Sequence, residues 1–307
     1  MTNFVVSVLG EVDPSTIGAV LPHEHLFCDF SVVTGSLDHV LNDVGLAVDE
    51  LAPLQETGVT CIVDVSPPDL GRSPQKLRSV AESTGITVVM GTGWYRSPFY
   101  PPHLEHTSAA ELAAGMVEEL TVGVLVDDGK RVRAGIIGEI GAHGSFVNPT
   151  EERVLRAAGR ASKETGAPLT THAAMHPVGI AQLDILDEEG VDPSRVVIGH
   201  ADTYLDLDYH REVLRRGAFL QFDTCGRVHL NPDDRRADMI VRHVRDGWLD
   251  RLLLSSDRCY RSDLLAFGGV GYAWTVTGFS DMLRARGLSN EELDVLTRVN
   301  PLRMLAW

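Results

Sequence analysis

The chain of 307 residues is 44% hydrophobic and 23% charged, an ordinary globular composition, and no run of about 18 apolar residues is present to span a bilayer. Its formal net charge of −16 argues against nucleic acid or an anionic membrane as a partner and suits a protein that handles a small-molecule ligand. Cys28, Cys61, Cys225 and Cys259 lie far apart with no Cys-x-x-Cys spacing, and the opening Met1-Thr2-Asn3-Phe4 lacks the basic and apolar segments of a signal peptide; a reduced, cytoplasmic compartment is expected.

Residues 4–17 alternate and contain Asp13-Pro14, which predicts a small β-hairpin turning there. A repeating pattern then sets in: a short apolar run, a polar corner, an amphipathic helix. The runs fall at 19–21, 60–65, 86–90, 135–140, 168–171, 196–199, 218–222 and 252–255. They are apolar without alternation, as parallel strands buried on both faces are. Helices are predicted between them at 48–57, 73–84, 108–126, 149–165, 177–189, 206–216 and 232–248. Several end at a glycine, and Ser108 with Glu111 makes a capping box. Two closing helices follow, at 280–286 and 291–297, the second capped by Ser289. The pattern predicts a single domain over residues 1–307. Its fold would be an α/β (β/α)8 TIM barrel with a short N-terminal β-hairpin and C-terminal closing helices.

In such a barrel the active site forms at the C-terminal ends of the strands, so the polar residues where the apolar runs break define the candidate site. The first run ends in Pro22-His23-Glu24-His25, and imidazoles at i and i+2 of a strand face one side. The fourth, Ile136-Ile137-Gly138-Glu139-Ile140, holds a carboxylate that burial penalises unless a cation or hydrogen bonds meet it. The fifth ends in His172, the sixth in His200 and the eighth in Asp257. Singly, a histidine after a strand is more often structural, and an aspartate there more often caps a helix. Together, His23, His25, Glu139, His172, His200 and Asp257 make a donor set suited to zinc, manganese, cobalt or iron. Glu139 can bridge two ions about 3.5–4 Å apart, and Asp257 can take the proton of an attacking water. The other histidines (His39, His103, His106, His143, His176, His210, His229 and His243) read as mostly solvated. His143 and His176, close behind the fourth and fifth runs, are also candidates for substrate contact.

This ligand order resembles that of the amidohydrolase superfamily. Longer stretches resemble its phosphotriesterase family: Gly18-Ala19-Val20-Leu21-Pro22-His23-Glu24-His25, Gly91-Thr92-Gly93-Trp94-Tyr95, Ile198-Gly199-His200-Ala201-Asp202 and Asn300-Pro301-Leu302-Arg303-Met304-Leu305. The resemblance runs along nearly the whole chain. The best-known members bridge their metals with a carboxylated lysine at the end of the fourth strand. Here the lysines, Lys76, Lys130 and Lys163, lie elsewhere and Glu139 holds that place, so the chain resembles the glutamate-bridged branch, the phosphotriesterase-related or homology proteins. The resemblance implies two divalent ions, with zinc expected. His23, His25 and Asp257 would hold the more buried ion, His172 and His200 the more exposed one, and Glu139 both. It also implies that Asp202 orients a ligand histidine and that Tyr95 faces the substrate. Arg227 belongs to the pocket loops 223–231 and 258–272, and the family commonly forms homodimers.

The activity so implied is hydrolysis of an ester, lactone or amide by a metal-bridging hydroxide, with organophosphate esters as promiscuous substrates. A TatD-like metal-dependent deoxyribonuclease shares the ligand types, but the net charge and the longer motifs disfavour it. A non-catalytic small-molecule-binding barrel is the third reading, and the complete ligand set weighs against it.

Overall fold

Eight parallel strands pair in chain order: β1 (Ala19–Glu24), β2 (Val59–Asp64), β3 (Thr87–Thr92), β4 (Ile136–Gly141), β5 (Leu169–His172), β6 (Val196–Ile198), β7 (Phe219–Phe222) and β8 (Leu252–Leu254). The computed structural model describes residues 3–307; Met1 and Thr2, part of the stretch read for a signal peptide, lie outside the described residues. The sheet is nearly closed into a TIM barrel. Across its seam the Asp257 N–H donates to His23 O (3.2 Å) and the His23 N–H to Ser255 Oγ (3.0 Å). Helices α1 (Val44–Leu51), α2 (Pro74–Thr84), α3 (Ala109–Thr121), α4 (Pro149–Thr165), α5 (Gly179–Glu188), α6 (Leu207–Arg215) and α7 (Asp233–Arg245) lie between the strands, and α8 (Gly278–Ala285) follows β8.

The strands are apolar on both faces because each face has its own core. Val20, Val63, Val89, Val197, Phe219 and Leu253 belong to the cluster inside the barrel, and Leu21, Ile62, Val88, Ile198, Leu220 and Leu254 to the cluster under the helices. Val5 from the N-terminal hairpin and Leu302, Met304 and Leu305 from the last helix join the inner cluster. The lower half of the barrel is thereby filled, and the upper ends of the strands are left for polar residues.

The structure moves several predicted boundaries. The hairpin pairs Val5–Ser7 with Gly10–Val12, so it turns at Val8-Leu9 and not at Asp13-Pro14. Asp13 instead caps a 3-10 turn, accepting from Ser15 N–H at 2.8 Å. The first helix starts at Val44, because Asp43 caps it through Leu46 N–H (2.9 Å), and it gives way to a 3-10 turn where Pro53 has no N–H to offer. The helix predicted to reach residue 126 stops at Thr121, and Val124–Leu125 pairs with Arg131–Val132. The last predicted helix is Asn290–Asp294, continued by a π turn and by Asn300–Leu305. No helix among the described residues is long and apolar enough to cross a membrane.

Candidate metal centre

In β4 the pairing with β5 slips between Ile137 and Ile140. Gly138 permits the slip: its φ is +129°, and a Cβ there would lie 2.4 Å from Thr170 O. Glu139 follows, 1% exposed, inside the upper end of the barrel. Its Oε1 lies 2.5 Å from His172 Nδ1 and 2.6 Å from His200 Nε2, and those nitrogens are 2.9 Å apart. On its other side, Oε2 is 3.8 Å from His25 Nε2, and Oε1 is 3.9 Å from His23 Nε2. Asp257 Oδ1 is 3.2 Å from His25 Nε2 and 3.8 Å from His23 Nε2. His23, His25, Glu139, His172, His200 and Asp257 thus meet at one place, as two donor sets flanking one carboxylate. His200 and Asp257 both take left-handed backbone, φ +55° and +48°, a conformation that non-glycine residues adopt mainly where the surroundings demand it.

A residue that the sequence did not single out organises the cluster. Asp223, fully buried just beyond β7, accepts the His200 Nδ1–H at 2.8 Å and the His200 backbone N–H at 3.0 Å. Its Oδ2 stands 3.1 Å from His23 Nδ1, an off-axis approach. Asp223 could itself be counted with His23 and His200 as a cation cage, but its contacts run to the Nδ1 atoms and leave both Nε2 atoms toward Glu139. With the proton on Nδ1, Nε2 is a bare lone pair, the form a metal ligand needs. Ser66 Oγ meets His25 Nδ1 in the same manner at 2.8 Å, and Asp64 holds Ser66 through its N–H.

The electrostatics call for a cation. Burial alone would lower His23, yet the Asp223 and Glu139 carboxylates raise it to about 9, and they hold His200 well above the imidazole range against the same penalty. Burial dominates at His172 and lowers it to about 4. Glu139 is held well below the carboxylate range, against its burial, by His172 and His200. His23 Nε2 is buried with no hydrogen-bond partner, and the His172 and His200 nitrogens crowd against Glu139 Oε1 while lying 2.9 Å from each other. Nitrogens and a carboxylate this close need positive charge between them, which protons supply on these rings and a metal ion could supply in their place. These nitrogen and oxygen donors fit divalent transition metals, and the cluster can hold metal.

A cavity of about 360 Å³ opens above the cluster, room for a small molecule. Tyr95 lies on its wall, with Oη 3.3 Å from His172 Nδ1. Arg227 also lines it, but its guanidinium pairs with the Asp257 carboxylate, donates to Asp257 O at 3.1 Å and lies over the Tyr260 ring. Asp202 does not orient a ligand histidine. It accepts from Thr224 N–H (2.9 Å), Thr224 Oγ1 (2.7 Å) and Arg236 Nε (2.8 Å), and it is Asp223 that meets histidines of the cluster. His210 and His243 are not solvated either: both are 0% exposed, with His210 Nδ1 3.0 Å from His243 Nε2 beneath α6 and α7. His143, His176 and His229 line the cavity, and His39 stacks on Tyr260.

Residues 4–305 match the family model described as Phosphotriesterase family. The crystal structure of phosphotriesterase homology protein from Escherichia coli, complexed with phosphate in its active site, is similar with a TM-score of 0.91 at 38% identity, covering 96% of this chain and 100% of that one. Aryldialkylphosphatase from Saccharolobus solfataricus is 30% identical over 96% of this chain and 97% of its own length. N-acetyltaurine hydrolase from Rattus norvegicus is 28% identical over 99% of this chain and 98% of its own length.

Proposed function

The chain belongs to the phosphotriesterase family, and we propose that it is a hydrolase that holds two divalent ions and cleaves an ester, lactone or amide bond at the acyl carbon. One observation carries the reading: Glu139, buried, offers a carboxylate to two donor sets, His23, His25 and Asp257 on one side and His172 and His200 on the other. Zinc is the expected metal, with manganese, cobalt and iron also suited to these donors. When bound, such a pair supplies a nucleophile from water at neutral pH and a Lewis acid for the substrate's oxygen. Asp257, ionised because Arg227 and its imidazole neighbours outweigh burial, accepts the water's proton at Oδ1, the oxygen that faces the cluster. Burial keeps the Tyr95 hydroxyl protonated, so it is a hydrogen-bond donor toward the substrate carbonyl beside His172.

The relatives hydrolyse, by their names, a phosphate ester and an amide. An acyl target suits the glutamate-bridged site, and organophosphates are the promiscuous alternative. Four free, buried cysteines support a reduced cytoplasmic setting, and we expect a homodimer. Metal analysis combined with a panel of lactones, aryl esters, N-acyl amino acids and paraoxon-like esters tests the proposal. It predicts two ions per chain, and turnover of an acyl substrate that His23→Ala abolishes. Fewer than one ion per chain, with His23→Ala as active as wild type, would overturn it.

A further inference from the structure

Apart from Glu139 and Asp257, both in the metal cluster, the titratable groups on the cavity wall include Arg96, Arg227, His143, His176 and His229, with no further carboxylate. This basic mouth belongs to a chain whose net charge is −16. Of the two arginines there, Arg227 is paired with Asp257, as Arg72 is with Glu119 and Arg236 with Asp202 elsewhere. Arg96 differs. Among the described residues it makes no ion pair; its Nη1 donates to His143 Nδ1 at 2.7 Å, and its Nε is buried with no partner.

The two side chains are held in place. Glu151 Oε1 accepts the Ser97 N–H (3.2 Å) and the His143 N–H (2.9 Å), fastening the loop after β3 to the loop after β4. Its other oxygen takes the Asn148 N–H at 3.1 Å within the cap of α4. The Arg96 guanidinium lies over the Tyr95 and Phe99 rings, 4.9 and 5.4 Å from their centroids, which fixes its plane. Because His143 Nδ1 accepts an Arg96 N–H, the imidazole N–H is on Nε2, a second donor.

Building on the hydrolase reading above, we propose that Arg96 and His143 form a subsite for an oxyanion, and that the substrate carries a carboxylate, sulfonate or phosphate that seats there while its acyl bond lies over the metal cluster. A planar guanidinium beside an imidazole N–H donor matches a group with two or three oxygens. The aromatic wall of Phe30, Tyr95 and Phe99 accepts the apolar body of such a molecule.

The test is isothermal titration of zinc-loaded protein with benzenesulfonate, a poor zinc ligand, and with methyl phenyl sulfone, its neutral analogue. Wild type is expected to bind the sulfonate about 10- to 100-fold more tightly, the size of a charge-assisted pair. Arg96→Gln should erase that preference and Arg96→Lys restore part of it, with metal content and thermal midpoint measured on both variants. Equal binding of the two probes by wild type, or a sulfonate preference that survives Arg96→Gln, would overturn the subsite. Benzoate and phenyl phosphate in the same titration rank the three oxyanions. Turnover of phenyl acetate tests the hydrolase reading separately: a wild type that prefers the sulfonate yet leaves acyl substrates intact keeps the subsite and loses the hydrolase.

Discussion

Asp223 reaches one histidine of each donor set, His200 through Oδ1 and His23 through Oδ2. Asp223→Asn keeps the volume, but the new amide can accept at one atom only and turns an N–H₂ toward the other ring. Metal affinity, measured by competition with a chelator, should fall about 10- to 100-fold. Asp202→Asn is the contrast, because Asp202 serves Thr224 and Arg236. It should lower stability by about 1–3 kcal/mol and leave metal affinity within a few-fold; a larger affinity loss in Asp202→Asn than in Asp223→Asn would refute this assignment. The candidate ligands were legible because each interrupts an apolar run. Asp223 interrupts the seventh run in the same way, after Leu220-Gln221-Phe222. A lone aspartate after a strand reads as a helix cap, and only the fold shows it reaching two rings that belong to other strands. Asp202 misled for the opposite reason: it is close to His200 in sequence, yet its carboxylate is drawn off by Arg236.

At the scale of elements, strands and capped helices were readable because local chemistry decides them. Asn148 and Glu151 form a capping box at the start of α4, and Gly166, φ +80°, ends it. The hairpin turn was misplaced because Val8-Leu9 has no turn-forming residue; Ser7 Oγ, bonded to Gly10 O and to Leu9 N–H, closes it instead. Helices α6 and α7 carry the least visible feature, the buried pair His210 and His243. Burial lowers His210 to about 4, and burial with the neighbouring His210 lowers His243 to about 3. The unfolded chain takes up these protons near pH 6.5 and the folded one does not, so the pair leaves stability unaffected above that pH and erodes it as the pH falls from 6.5 toward 4. In metal-free protein, His243→Gln should remove up to about 1.4 kcal/mol per pH unit of that erosion. Urea midpoints at pH 7 and pH 5 check this, and identical slopes for variant and wild type would contradict it.

At the scale of the whole molecule, closure of the barrel is what makes the site. His23 and Asp257 come from opposite ends of the sheet and meet only because β1 and β8 join at the seam. The fold class was legible because eight runs buried on both faces admit few other arrangements. The basic mouth was not, since net charge is a sum over the surface and a patch depends on which loops the fold brings together. Glu139 is expected to lie between two ions. Anomalous diffraction from crystals of the zinc-reconstituted protein tests it most directly. Two peaks about 3.5–4 Å apart are predicted, both in contact with the Glu139 carboxylate, one against His23, His25 and Asp257 and the other against His172 and His200. A single peak, or peaks that leave Glu139 without a metal, would contradict it.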